Sequence, residues 1–181
     1  MIFPGLSVKT ILLLRHAKSD WGNPGQADHD RSLSRRGARA ALAMADHIAR
    51  QEPHPDLILC STSMRTRQTL AALLTRLPPP SPPISFEKGL YLASEDTLMD
   101  RLKALEDDVA TPLLVGHNDG IWLLANALAG SGSSDALARL EAKYPTGALA
   151  ILSAPAVHWR DLGPGQCEVV SFATPREIGA T

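Results

Sequence analysis

Four apolar residues in succession, Ile11-Leu-Leu-Leu14, end abruptly at Arg15-His16. A strand with one wet face alternates apolar and polar side chains. An unbroken apolar run is expected of a strand covered on both faces, as in a parallel sheet. The design returns at Asp56-Leu-Ile-Leu-Cys60 and at Thr111-Pro-Leu-Leu-Val-Gly116. Each run is followed by a stretch of helical period. Ser34 can cap a helix reaching about Gln51, with Ala38, Ala41, Leu42, Ala45 and Ile48 on its apolar face. Pro53 and Pro55 stop it. Ser61 or Ser63 can cap a second helix to about Arg76. A third is predicted over 95–107 and a fourth over 121–129.

The remaining segments fill in around these units. Residues 20–33 carry no period and read as a loop over the end of the first strand, with turn formers at 22–25. The proline run 78–83 is a stiff polyproline II spacer. Ile84 to Phe86 reads as a strand and 87–94 as loop. Residues 130–144 are small and polar, then weakly helical. From Gly147 the period shortens, and strands are predicted over 147–153, 156–162 and 168–172, with a turn at Gly163-Pro-Gly165. Strand–helix units with a short β tail predict an α/β fold. It is a mainly parallel central sheet with helices on both faces.

Composition narrows the class. A chain of 181 residues suits one domain, 1–181, with a core that needs no staples. A net charge of -1 gives no footprint for nucleic acid or a membrane surface. Cys60 and Cys167 match no metal or redox spacing. With no secretory signal at the N-terminus, reduced thiols and a cytoplasmic location are expected. No run approaches the roughly 18 apolar residues that span a bilayer.

Three strand ends carry chemistry: Arg15-His16, Arg65 in Ser61-Thr-Ser-Met-Arg-Thr-Arg-Gln-Thr69, and His117-Asn118. Parallel strands bring their carboxyl ends to one edge, where ligands of such sheets bind. Two arginines and two histidines around one point suit a tetrahedral dianion. Phosphoryl transfer needs the equatorial oxygens stabilised and an in-line nucleophile, and a neutral histidine nitrogen can serve. The guanidiniums can neutralise the charge, so no metal or other cofactor is expected. Neither a P-loop, nor HExxH, nor Gly-x-Ser-x-Gly occurs.

These motifs resemble the histidine phosphatase superfamily, which includes the cofactor-dependent phosphoglycerate mutases. Leu14-Arg15-His16 is similar to its signature, Arg65-x-x-Gln-Thr69 to its second-arginine motif and Val115-Gly-His117-Asn118 to its second-histidine motif. Finer features resemble the SixA-type phosphohistidine phosphatases: Arg15-His-Ala-Lys-Ser19, Asp30-Arg-Ser-Leu-Ser-Arg-Arg-Gly37, Leu90-Tyr91, Pro145-Thr-Gly-Ala-Leu-Ala150 and Pro175-Arg176. The resemblance spans nearly the whole chain. It implies a three-layer αβα sandwich and a metal-independent phosphatase. His16 would be the nucleophile that becomes a transient phosphohistidine, while Arg15, Arg65 and His117 bind the phosphoryl oxygens. Ser19 and Asn118 join them as expected substrate contacts.

This chain departs from the common pattern at Ala17, where glycine is usual, and at Asp119, where proline is frequent. It also has Gly22 where many relatives place an asparagine, with Asn23 one step off. The general acid has three candidates: Glu87, which best matches the glutamate of mutase-like relatives, Glu95 and Asp119. A leaving imidazole, whose conjugate acid has a pKa of about 6.5, needs less protonation than an alkoxide. The expected substrate is therefore phosphohistidine in a partner protein. Small phosphomonoesters are the alternative, and a non-catalytic phospho-binding module is the reading outside enzymes. His29, His47, His54, His158 and Arg67 are read as scattered surface or packing residues.

Overall fold

A computed structural model describes residues 8–22, 25–155 and 158–180. Asn23 lies outside them, as do Ala156 and Val157. Seven strands form one sheet: β1 (Lys9–Arg15), β2 (Leu57–Ser61), β3 (Ile84–Glu87), β4 (Pro112–Gly116), β5 (Ala129–Gly132), β6 (Leu149–Ala154) and β7 (Cys167–Ala173), in the order β3-β2-β4-β1-β6-β7-β5. Every strand pair except β1–β6 and β6–β7 is parallel, so β6 alone runs against the rest. Five helices connect them: α1 (Arg35–Ile48), α2 (Met64–Leu74), α3 (Glu95–Lys103), α4 (Gly120–Leu128) and α5 (Ser134–Ala142).

The apolar run explains the layering. Ile11, Leu12, Leu13 and Leu14 are each at most 1% exposed. Period-two alternation sends Leu12 and Leu14 to one face, where they meet Met44, Ile48, Leu70 and Leu73 of α1 and α2. Ile11 and Leu13 point the other way, into a cluster with Leu98, Leu102, Ile121, Leu124 and Leu140 of α3, α4 and α5. Each such side chain contributes on the order of 2 kcal/mol by burial. The expected αβα sandwich with a mainly parallel sheet is the observed architecture.

Two segments differ from the expectations. The strand expected over 156–162 is, in its described part, a 3₁₀ turn at Trp159–Asp161. The Trp159 main-chain N–H donates to the Asp107 carboxylate at 3.0 Å, and its indole N–H donates to the Val109 carbonyl at 2.9 Å. These bonds turn the chain inward and bury the ring completely. Conversely β5 forms where small residues gave no strand signal. It pairs with β7 because Gly130 admits the Gly165 carbonyl, which would lie 1.8 Å from any Cβ at that position.

Candidate active site

Register places the three strand ends together. Arg15 pairs with Gly116, and Cys60 with Val115, so β1, β4 and β2 end side by side. His16 follows β1 and donates its main-chain N–H to the Gly116 carbonyl at 3.0 Å. His117 follows β4. Arg65 enters from the first turn of α2. The His16 and His117 rings stand 5.2 Å apart, and all three side chains are buried. The convergence expected from chain order is the geometry observed.

Each ring has a defined hydrogen-bond partner. His16 Nδ1 lies 2.7 Å from the Ala17 carbonyl. A carbonyl only accepts, so Nδ1 carries the proton and the Nε2 lone pair is free. Burial and the nearby Arg65, Arg15 and Arg31 hold the His16 pKa down to about 4. His117 Nδ1 lies 3.3 Å from Arg65 Nη2, a donor, so Nδ1 accepts and Nε2–H donates to Ser61 Oγ at 2.8 Å. Burial, His16 and Arg65 push the His117 pKa down to about 3. Both imidazoles are thus neutral near pH 7.

The arginines are fixed by main chain and by one carboxylate. Arg15 Nη1 donates to the Tyr144 carbonyl at 2.8 Å, and its buried Nε has no partner among the described residues. Burial lowers its pKa, against the pull of Asp119. Arg65 forks onto Asp28, with Nη1 to its carbonyl at 2.6 Å and Nη2 to Oδ2 at 2.9 Å. The other carboxylate oxygen of Asp28 accepts from Arg31 Nη1 at 2.7 Å, and Tyr91 donates its hydroxyl to Oδ2 at 2.6 Å. With these bonds outweighing its partial burial, the Asp28 carboxyl sits at about 2.

The Arg-x-x-Gln-Thr spacing has a physical content. Thr69 Oγ1 accepts from the Ala17 main-chain N–H at 3.0 Å and donates to the Arg65 carbonyl at 2.7 Å. Gln68 Oε1 accepts from Leu33 N at 2.7 Å. One turn of α2 therefore presents Arg65 and also clamps the segments on either side of loop 20–33.

The other expected site residues fall as follows. Ser19 is buried and its Oγ accepts from Arg31 Nη2 at 2.7 Å. Asn118 Nδ2 donates to the Tyr144 carbonyl at 3.0 Å, leaving its buried Oδ1 unpartnered among the described residues. Glu87, the first of the three expected general-acid candidates, stands in an ion pair. It accepts two bonds of 2.8 Å from Arg101 of α3, which holds its carboxyl below the usual range. A carboxylate so held is a poor proton donor. Asp119 is exposed just before α4, and Glu95 is part-buried in the first turn of α3.

Sequence reasoning missed Asp28, Ser61 and the ring of Tyr91, which stands edge-on to His117 at 5.4 Å. It also set His29 aside, yet His29 Nε2 lies 3.0 Å from Thr62 Oγ1 and its ring meets Tyr91 at 4.8 Å. The only available signal was an aspartate-rich loop following a cationic strand end. No group of three or more His, Cys, Asp or Glu side chains among the described residues could hold a metal ion, and no described helix is long and apolar enough to cross a membrane.

Comparison with known proteins gives the family and the fold. The family model for the histidine phosphatase superfamily (branch 1) matches residues 11–91. An uncharacterised protein of Mycobacterium leprae is 38% identical over 167 residues, spanning 90% of this chain and 100% of the relative. A solved structure from Nakamurella multipartitia, bearing the name phosphohistidine phosphatase SixA, superposes with a TM-score of 0.80 at 31% identity, over 93% of this chain and 96% of that one. A second, from Agrobacterium tumefaciens and bearing the same name, gives 0.76 at 32% identity, over 92% and 98%.

Proposed function

The chain belongs to the SixA-type branch of the histidine phosphatase superfamily and is a phosphatase, and from that premise we propose that it removes the phosphoryl group from phosphohistidine in a partner protein, with His16 as nucleophile. The observation that carries this reading is His16 itself: a neutral ring whose Nδ1–H is tied to Ala17, so that Nε2 presents its lone pair.

Nε2 attacks phosphorus as the bond to the substrate's imidazole nitrogen breaks. The substrate's ring, already protonated on its far nitrogen, keeps the electron pair of the broken P–N bond and leaves as neutral imidazole, while His16 becomes phosphohistidine. Water then attacks the same phosphorus, releasing phosphate and restoring His16. Arg15 and Arg65 bind the phosphoryl oxygens throughout. His117 joins them when the phosphoryl group takes the place of Arg65 at Nδ1 and the ring takes its Nδ1–H tautomer, with Ser61 then donating to Nε2. Arg15 Nε is a buried donor with no acceptor among the described residues. Ser19 and Asn118 complete the pocket. With its lone pair engaged by Arg31, the Ser19 hydroxyl still has its hydrogen to donate.

The choice of phosphoramidate over alkyl ester rests on the proton donor. An alkoxide leaving group needs a protonated acid close by, worth about 10²–10⁴ in rate. Asp28 is held at about 2, and Glu87 is held down by Arg101, so neither carboxyl keeps a proton near pH 7. A phosphohistidine ring protonated on its far nitrogen departs as neutral imidazole without such help.

The test compares turnover of phosphohistidine with that of an alkyl phosphomonoester and traps the intermediate. An acid-labile label on the wild type that is absent from His16→Asn is expected. Phosphohistidine should be the better substrate, and Glu87→Gln should change its rate by less than about threefold. A preference for the alkyl ester that collapses in Glu87→Gln would overturn the proposal.

A further inference from the structure

A second cavity, of about 640 Å³, opens beside the site. Leu14 pairs with Leu149, and Leu149 with Ala173, so the end of β7 reaches the same sheet edge as the end of β1. The segment after β7 forms one wall. The start of α1 and the end of α5 form the others. The buried part of the lining, its floor, is apolar, with Ala40 and Phe172, and the exposed Ala142 adds to it.

The rim is cationic. Lys18, Arg36, Lys143 and Arg176 line it, are exposed, and form no ion pair among the described residues. Arg139 is a fifth cation, and the one lining carboxylate, Glu177, is taken up by it at 2.7 Å. This excess stands on a chain whose net charge is -1, so it is a local concentration and not a general basicity. Part of it stands at a local cost: the first turn of α1 holds arginines and no acid, at the positive end of the helix dipole. An anionic ligand there turns that cost into attraction.

We propose that this cavity docks an acidic segment of the phosphorylated partner protein, with an apolar side chain of that segment seated on the floor. The inference rests on the phosphohistidine reading above and names what that partner carries. The cations come from four separate elements and ring the cavity. They therefore suit several carboxylates along a chain more than one compact anion. Lys18 links the two sites, since two residues of backbone put it within about 7 Å of His16. The loop 144–147 links them again: Tyr144 holds Arg15, Gly147 N donates to the carbonyls of Arg15 and His16, and Pro145 and Thr146 line the cavity. An acidic stretch a few residues from a phosphohistidine would engage both at once, raising encounter rate and residence.

The test uses a phosphohistidine peptide with an Asp/Glu and leucine flank, the same peptide with a Ser/Gly flank, and free phosphohistidine. The wild type is compared with Arg36→Glu/Lys143→Glu/Arg176→Glu. The acidic flank should raise kcat/KM about tenfold at low salt, mainly through KM. The triple variant should lose that gain and keep its rate on free phosphohistidine. Equal rates on the two peptides, or an acidic preference that survives in the variant, would overturn the proposal. Binding of the unphosphorylated acidic peptide, followed by anisotropy, separates this from the reaction itself. If no phosphohistidine is turned over but the wild type binds that peptide and the variant does not, the docking site stands while the substrate reading fails. If the wild type does not bind the unphosphorylated acidic peptide, there is no docking site. If ADP binds at the cavity and the acidic peptide does not, the cavity serves a compact ligand and the proposal is wrong.

Discussion

A single carboxylate organises the cationic side of the site. Asp28 Oδ2 accepts from both Arg65 and Tyr91, while Oδ1 accepts from Arg31. Arg31 is itself held at all three nitrogens, with Nε on the Asp20 carbonyl, Nη1 on Asp28 and Nη2 on Ser19, and its plane stacks on Trp21 at 3.2 Å. Asp28→Asn keeps the shape and one acceptor oxygen, but turns an N–H donor toward one of the guanidiniums. Arg65 then keeps only the Asp28 carbonyl and His117 to orient it. A loss of about ten- to a hundredfold in kcat/KM is expected, in the range of a misplaced binding group. Tyr91→Phe, which leaves the carboxylate intact, should lose less. Wild-type kinetics in Asp28→Asn would show that Arg65 needs no such partner. None of this was legible in the sequence. Arg15, His16, Arg65 and His117 were, because parallel strands must bring their ends together whatever the loops do. Asp28 depends on how loop 20–33 folds back. The partner that Glu87 takes was hidden for the same reason: Arg101 lies on a helix whose placement is set by packing.

At the scale of elements, α1 is docked onto the segment that carries the nucleophile. The Lys18 carbonyl accepts from Ser34 N at 2.9 Å and from Ser34 Oγ at 3.1 Å, and Ser34 also caps Gly37 N at 3.0 Å. Gly37 is required there by contact: a Cβ would lie 1.9 Å from the Lys18 carbonyl oxygen. Gly37→Ala must push α1 and residues 17–19 apart. The expected cost is about 1–3 kcal/mol, seen as a melting point lower by several degrees, with a raised KM because Ala17 and Ser19 move with Lys18. A variant that melts and turns over as the wild type does would show that the approach relaxes freely. The serine cap of α1 was readable from its residue type. The close approach was not, since a glycine two residues into a helix is locally a defect and only the partner explains it. Strand β5 teaches the same lesson, its signal being four small residues that matter only where Gly165 comes near.

At the scale of the whole molecule, the layers buried on either face of the sheet support a site that is costly to ionise. His16 and His117 have folded pKa values of about 4 and 3, against an ordinary 6.5, because burial and the surrounding guanidiniums oppose a further positive charge. Both groups are depressed, so their contribution is fully present above pH 6.5, where folded and unfolded chains alike hold neutral rings. As the pH falls below 6.5 the unfolded chain takes up two protons that the folded chain refuses. Stability then declines by about 1.4 kcal/mol per pH unit for each proton, until the pH reaches the folded values near 4 and 3. Asp28, depressed to about 2 from 3.8, acts mainly below about pH 4. Between pH 6 and 4.5 the wild type should therefore lose stability more steeply than His16→Asn/His117→Asn by about 2–3 kcal/mol per pH unit. Urea unfolding at a series of pH values measures this slope directly. Each single variant should remove about half of the difference. Parallel slopes would mean that the two rings are protonated as easily in the folded protein as in the unfolded chain. A nucleophile neutral at pH 7 because of its surroundings would then have no basis.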